Sequence, residues 1–186
     1  MVLPLLARCA ECPDNVRVTV EISKLKKIKA LVLDVDGVMT DTRIWMDSSG
    51  EWRRFFSIRD GVGIKRLIAQ GYRLGVITGS STSDIRARVK TLGIPYFYEG
   101  AEDKSPAFDH LLKATDLKEN EVAYVGDDIF DIPLLRRVAF AATVPDAVDE
   151  VKEVAHYVTH RRGGEGAVRE VCDLIHQYGA FSGAQG

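Results

Sequence analysis

Apolar residues in this chain alternate between short unbroken runs and longer stretches where they recur every third or fourth position. The unbroken runs are Ala30–Val35, Arg73–Ile77, Pro95–Tyr98, Glu121–Val125, Phe140–Thr143 and Tyr157–Thr159; their length and their Val, Leu and Ala content suit strands covered on both faces. The periodic stretches predict helices. One runs from Asp60-Gly61 to Gly71 with Val62, Leu67 and Ile68 as its stripe, and one runs from Ser83 to Gly93 with Ile85, Val89 and Leu92. A third opens at Ser105-Pro106, a short one passes through Leu134, Leu135 and Val138, and the last covers Gly166–Tyr178. Strands and helices in this rhythm predict an α/β domain, a Rossmann-like parallel sheet with helices on both faces.

One segment breaks the alternation. Thr42–Met46 and Trp52–Phe56, aromatic-rich and extended in pattern, flank the turn residues Asp47-Ser48-Ser49-Gly50, which predicts a small β-hairpin inserted after the first strand. The chain then divides into an N-terminal arm at 1–24, a single domain at 25–180 with the hairpin insertion at 41–57, and a tail at 181–186.

Composition narrows the classes of function. A chain of 186 residues that is 46% hydrophobic can bury one substantial core. With 25 Lys plus Arg against 27 Asp plus Glu the net charge is −2, so no basic field gathers nucleic acid or an anionic membrane surface. The apolar runs are far shorter than the roughly 20 residues of a membrane span, and MVLPLLARCA lacks a basic start to a signal peptide, so a cytoplasmic protein is expected. Cys9, Cys12 and Cys172 make no complete zinc set and are read as free thiols; the four histidines have no ligand spacing.

The polar residues that interrupt the pattern fall at strand ends. Asp34 and Asp36 end the first strand, Thr78, Gly79 and Ser80 follow the second, Lys104 precedes the third helix, and Asp127, Asp128 and Asp131 follow Glu121–Val125. In an open parallel sheet these loops meet at one crevice. Carboxylates gathered there repel one another unless a divalent cation lies between them, and hard oxygen ligands suit Mg²⁺. A cation, a lysine and a hydroxyl loop form a cradle for a phosphoryl group. No Gly-x-x-x-x-Gly-Lys-Ser/Thr loop is present, so the nucleophile is expected to be a side chain, and Asp34 is best placed to become an aspartyl-phosphate.

Asp34-Val35-Asp36-Gly37-Val38, Thr78-Gly79, Lys104 and Gly126-Asp127-Asp128 with Asp131, in that order, resemble the four motifs of the haloacid dehalogenase superfamily of phosphatases. Within it, GVMTDTRIW, RDGVGIK, EVAYVGDDIFDIP and GGEGAVREVCDL resemble the family acting on 3-deoxy-D-manno-octulosonate 8-phosphate, in lipopolysaccharide precursor synthesis. The resemblance implies Asp34 as nucleophile and Asp36 as the acid and base that serves the leaving oxygen and then water. It implies Mg²⁺ held by Asp34, Asp127 and the main-chain carbonyl of Asp36, a phosphoryl group bound by Thr78, Gly79 and Lys104, and Asp128 and Asp131 in support. Arg59, Asp60 and Arg162 become candidate substrate contacts. Two positions depart from the family pattern: Ser80 stands where an arginine is usual, and Thr42 where a glycine is usual. The Ser80 change leaves substrate identity open, though not phosphatase chemistry, and the resemblance extends to two alternatives, a nonulosonate 9-phosphate phosphatase and an assembly domain like the tail of some sialic acid cytidylyltransferases. Larger superfamily members cover the crevice with a cap domain, for which this chain has no room. The apolar load of the hairpin, Ile44, Trp45, Trp52, Phe55 and Phe56, predicts self-association, and the family resemblance implies a homotetramer in which each subunit covers its neighbour's crevice.

Overall fold

A computed structural model describes residues 22–181; the greater part of the arm, with Cys9 and Cys12, and all but the first residue of the tail lie outside the described residues. Six parallel strands form the sheet: β1 (Ala30–Leu33), β4 (Arg73–Ile77), β5 (Tyr96–Tyr98), β6 (Val122–Val125), β7 (Phe140–Thr143) and β8 (Tyr157–Val158). Their spatial order is β5-β4-β1-β6-β7-β8. A separate antiparallel pair, β2 (Trp45–Met46) and β3 (Trp52–Arg53), is the hairpin, with Trp45 opposite Arg53 and Met46 opposite Trp52.

The helices are α1 (Ile22–Leu25), α2 (Ile58–Ala69), α3 (Ser83–Leu92), α4 (Ser105–Thr115), α5 (Ile132–Leu135), α6 (Asp149–Val154) and α7 (Ala167–Tyr178). Alternate strand residues face opposite sides. Leu31, Leu33, Leu74 and Val76 join the cluster built with α2, α3 and α7, whereas Ala30, Val32, Ile77 and Tyr124 join the one built with α4, α5 and α6. Both faces are thus covered, as the unbroken apolar runs require.

After β1 the chain leads through the hairpin and α2 to β4 on one side, and after β6 it leads through α5 to β7 on the other. The loops leaving β1 and β6 diverge, which opens a crevice at the carboxyl edge between them.

Several expectations shift by a turn or a face. Helix α2 starts earlier than predicted because Ser57, not Asp60, caps it: the Ser57 hydroxyl accepts from the Asp60 N–H at 3.3 Å. Val62 is exposed, and Ile64 and Leu67 carry the buried stripe. The hairpin strands are shorter than their aromatic runs, since Asp47 gathers the turn by accepting from the Ser49 N–H at 2.8 Å and the Glu51 N–H at 3.1 Å. Helix α6 is an addition, and α1 straddles the expected start of the domain at 25, burying Leu25.

Candidate active site

Asp34 stands one residue beyond β1, its N–H still donating to the Val125 carbonyl at 3.0 Å, so its side chain is aimed by the β1–β6 ladder. The next residues fold into a tight turn in which the Met39 and Thr40 N–H groups return to the Val35 carbonyl at 2.9 and 3.1 Å. Gly37 has φ +90°, and a Cβ there would stand 1.9 Å from Asp127 Oδ2. Only glycine allows the backbone after β1 to lie this close to the carboxylate after β6. Behind this turn sits the loop at 163–164, whose Gly164 N–H donates to the Val38 carbonyl at 3.1 Å; a Cβ on Gly163 would overlap the Gly37 carbonyl at 1.7 Å.

Around this turn a cavity of about 390 Å³ is lined by Asp34, Asp36, Thr78, Gly79, Ser80, Lys104, Asp127, Asp128 and Asp131, together with Ala101, Glu102 and Phe130. All of the expected strand-end residues therefore meet in one place.

Lys104 is the hub. It is buried, and its Nζ lies 2.6 Å from Asp34 Oδ1 and 2.6 Å from Asp131 Oδ1. The Tyr124 hydroxyl donates to Asp131 Oδ1 at 2.5 Å, and Asp131 Oδ2 accepts from the N–H groups of Asp127 and Asp128 at 2.9 and 3.2 Å. Asp131 is thereby saturated and acts as a bracket, fixing the lysine on one side and the backbone after β6 on the other. Burial works against the Lys104 charge, but Asp34 and Asp131 more than offset it and hold the pKa above the ordinary lysine value. Burial, opposed by Lys104 and aided by Asp131, pushes Asp34 up to about 7. Burial and then the charges of Asp34 and Asp131 push Asp127 up to about 8.

Oxygens of Asp34, Asp127 and Asp131 lie within 4.8 Å of one another, which fits a divalent cation. With the Asp131 oxygens taken, the unclaimed ones belong to Asp34 and Asp127. A cation binding there competes with protons, so its affinity rises with pH through this range. Thr78 is buried at the end of β4, and its oxygen accepts from the Ser80 N–H at 3.1 Å, leaving the hydroxyl hydrogen for a ligand in the cavity.

Asp36 turns the other way, toward Arg54. Arg54 Nε donates to Asp36 Oδ1 at 2.5 Å and Nη2 donates to Oδ2 at 3.2 Å, while the Ser80 hydroxyl donates to the same Oδ2 at 2.8 Å. A guanidinium thus stands beside Asp36 although position 80 holds a serine. Arg54 and Tyr124 are site residues that sequence reasoning missed. The hairpin pattern singles out its aromatics alone; the Arg54 side chain among them is 5% exposed, whereas Phe55 is 67% exposed and stacked on Trp45 with centroids 6.2 Å apart.

Three candidate substrate residues do not join the cavity. Arg59 and Arg162 are exposed and outside its wall. Asp60 is 2% exposed and lies under α7, where its Oδ1 accepts from the Arg169 N–H at 2.8 Å; it caps that helix and has no route to a ligand in the cavity. Its Oδ2 has no partner, and burial pushes its pKa up to about 6. The folded protein therefore keeps this proton to higher pH than the unfolded chain does, and the group's contribution to stability falls as pH rises from about 4 to about 6. Asp60→Asn keeps the acceptor for Arg169 and loses this dependence. Urea unfolding should show the variant gaining on the parent by roughly 2 kcal/mol between pH 4 and pH 7. An unchanged difference would contradict this placement of Asp60.

A parallel sheet carrying an aspartate after β1, a threonine after β4, a buried lysine before α4 and a carboxylate cluster after β6 defines a phosphoryl-transfer type of hydrolase, and the comparisons agree. Residues 97–170 match the model of the haloacid dehalogenase-like hydrolases. The chain belongs to the haloacid dehalogenase-like hydrolases. It is 43% identical, over 83% of its length and 82% of the relative's, to a 3-deoxy-D-manno-octulosonate 8-phosphate phosphatase of Yersinia pestis. The crystal structure of the Yersinia pestis phosphatase superposes with a TM-score of 0.84 at 42% identity, covering 89% of this chain and 90% of that one. That of the Moraxella catarrhalis phosphatase, in complex with magnesium ion, phosphate ion and KDO, superposes with a TM-score of 0.83 at 36% identity, covering 88% and 94%.

Proposed function

We propose that this protein hydrolyses 3-deoxy-D-manno-octulosonate 8-phosphate to the free sugar acid and inorganic phosphate, in the cytoplasm and in service of lipopolysaccharide precursor synthesis. The observation that carries the reading is the buried Asp34–Lys104–Asp131 bridge beside Asp127, in a chain this similar to phosphatases of that ester. The Asp34 carboxylate attacks phosphorus, and the ester P–O bond breaks as Asp36 gives its proton to the departing sugar oxygen. Asp36 then takes a proton from water, the water oxygen attacks phosphorus, and the bond to Asp34 breaks to restore the carboxylate. Thr78, the Gly79 backbone and Lys104 hold the phosphoryl oxygens. Asp34, Asp127 and the main-chain carbonyl of Asp36 would hold Mg²⁺, which when bound would neutralise charge on the transferring group. Asp128 and Asp131 support this set, Asp131 through the bracket described above.

A panel of sugar-acid phosphates followed by phosphate release tests the reading. The eight-carbon 8-phosphate should be preferred to nine-carbon 9-phosphates, with activity lost in chelator and restored by Mg²⁺. Preference for a nine-carbon ester, or folded protein that releases phosphate from neither, would overturn it.

The same reading includes a homotetramer. Ile44, Trp45, Met46, Trp52 and Phe55 are exposed on the hairpin, and Ile58 continues the exposure into α2. A two-stranded hairpin with this apolar surface is supported by burial against a copy of itself, and assembly would bring exposed Arg59 to a neighbouring crevice. Trp45→Glu with Phe55→Glu should give smaller species in light scattering, and kcat/KM should fall more for the sugar-acid ester than for a small aryl phosphate. A fully active monomer would exclude the assembly.

A further inference from the structure

We propose that Arg54 is a positioning residue for Asp36 and that, with Ser80, it confines the proton of the reaction to one atom, Asp36 Oδ1. The inference rests on Asp36 being the acid and base proposed above. Arg54 follows directly after β3, at the foot of the hairpin, and its guanidinium is buried with every N–H directed to an acceptor. Nη1 reaches the Thr82 hydroxyl at 2.9 Å and the Asp84 carboxylate at 3.4 Å; Nη2 reaches Ser80 Oγ at 3.1 Å as well as Asp36. Held from behind by Thr82 and Asp84, the planar fork grips both Asp36 oxygens side-on, a geometry that lysine cannot reproduce.

A carboxylate offers about four acceptor sites, two on each oxygen. Oδ2 uses both, one for Arg54 Nη2 and one for the Ser80 hydroxyl. Oδ1 uses one, for Arg54 Nε, and keeps the other. That remaining site is the one at which a proton can be delivered to the sugar oxygen and then received from water. The grip on the acid thus comes from the foot of the hairpin.

Arg54 also ties the hairpin to the start of α3, and a purely structural role has to be separated from a positioning one. The leaving group separates them. A sugar alkoxide needs a proton to depart, whereas the phenolate of p-nitrophenyl phosphate does not, and kcat/KM reports only the steps up to formation of the phosphoryl-enzyme. Arg54→Ala should lower kcat/KM for the sugar-acid phosphate by about 100-fold and for p-nitrophenyl phosphate by less than about 5-fold. Asp36→Asn should show the same selectivity, and adding Arg54→Ala to it should cost nothing further on the sugar-acid ester. Arg54→Lys should recover part of the loss. Circular dichroism and light scattering identify any variant that loses its fold or assembly; in that event Arg54→Lys and Ser80→Ala carry the same test, with falls of roughly tenfold confined to the sugar-acid ester. Equal falls on both esters, or losses that add in the double variant, would reduce Arg54 to an anchor for the hairpin. An Asp36→Asn variant indifferent to the leaving group would remove Asp36 as the acid, and this inference with it, while leaving Asp34 chemistry standing.

Discussion

Asp34→Asn is expected to remove turnover of the sugar-acid phosphate, lowering kcat by at least about four orders of magnitude, while the protein stays folded. The Asp34 carboxylate is the one acidic group that is buried, carried on the edge of β1 and attached to Lys104 through only one of its oxygens. An amide in its place cannot form the phosphoryl-enzyme. The fold should tolerate the change because the amide oxygen can still accept from Lys104, and Lys104 keeps its 2.6 Å bridge to Asp131. Steady-state kinetics together with thermal unfolding read both halves of this expectation, and a variant with near-parent kcat in saturating Mg²⁺ would contradict the covalent route.

Lys104→Met should damage activity less than Asp34→Asn does but, unlike that variant, should damage the fold as well. Removing the ammonium strands Asp34 and Asp131, both buried, in a region already crowded by Asp127. Breaking a buried charge pair from one side costs about 3 kcal/mol or more, and the transferring phosphoryl group loses a donor worth about 100- to 1,000-fold in kcat. The melting temperature without metal should fall clearly, with Mg²⁺ returning part of it by screening the stranded carboxylates. A variant as stable as the parent in chelator would mean that the bridge does not organise the site.

The strand ends were the most legible part of this chain. A catalytic carboxylate, hydroxyl or lysine at the edge of a buried strand has to interrupt an apolar run, so Asp34, Thr78 and Asp127 stand out against Leu31–Leu33, Leu74–Ile77 and Val122–Val125. The apolar load of the hairpin was legible in composition, and Ile44, Trp45, Trp52 and Phe55 are exposed on it. Nothing in the run Trp52–Phe56 marks Arg54 as a site residue: Asp36, Thr82 and Asp84, all distant in sequence, draw its guanidinium in, while Phe55 lies outside on Trp45. Asp60 enters as a candidate substrate contact through the resemblance, and only the packing of α7 across α2 reveals that its carboxylate caps a second helix. Helix α6 left no stripe to read, because Val151 is its one fully buried residue.

The central claim is that phosphate passes through a covalent bond to one named oxygen-bearing side chain. It is tested most directly by quenching the working enzyme in acid, reducing acyl phosphates with borohydride and mapping the modified peptide by mass spectrometry. Reduction at Asp34 to homoserine, dependent on substrate and absent from Asp34→Asn, is the predicted result. An active enzyme whose Asp34 stays unmodified while Asp127 or another carboxylate is reduced would contradict the account.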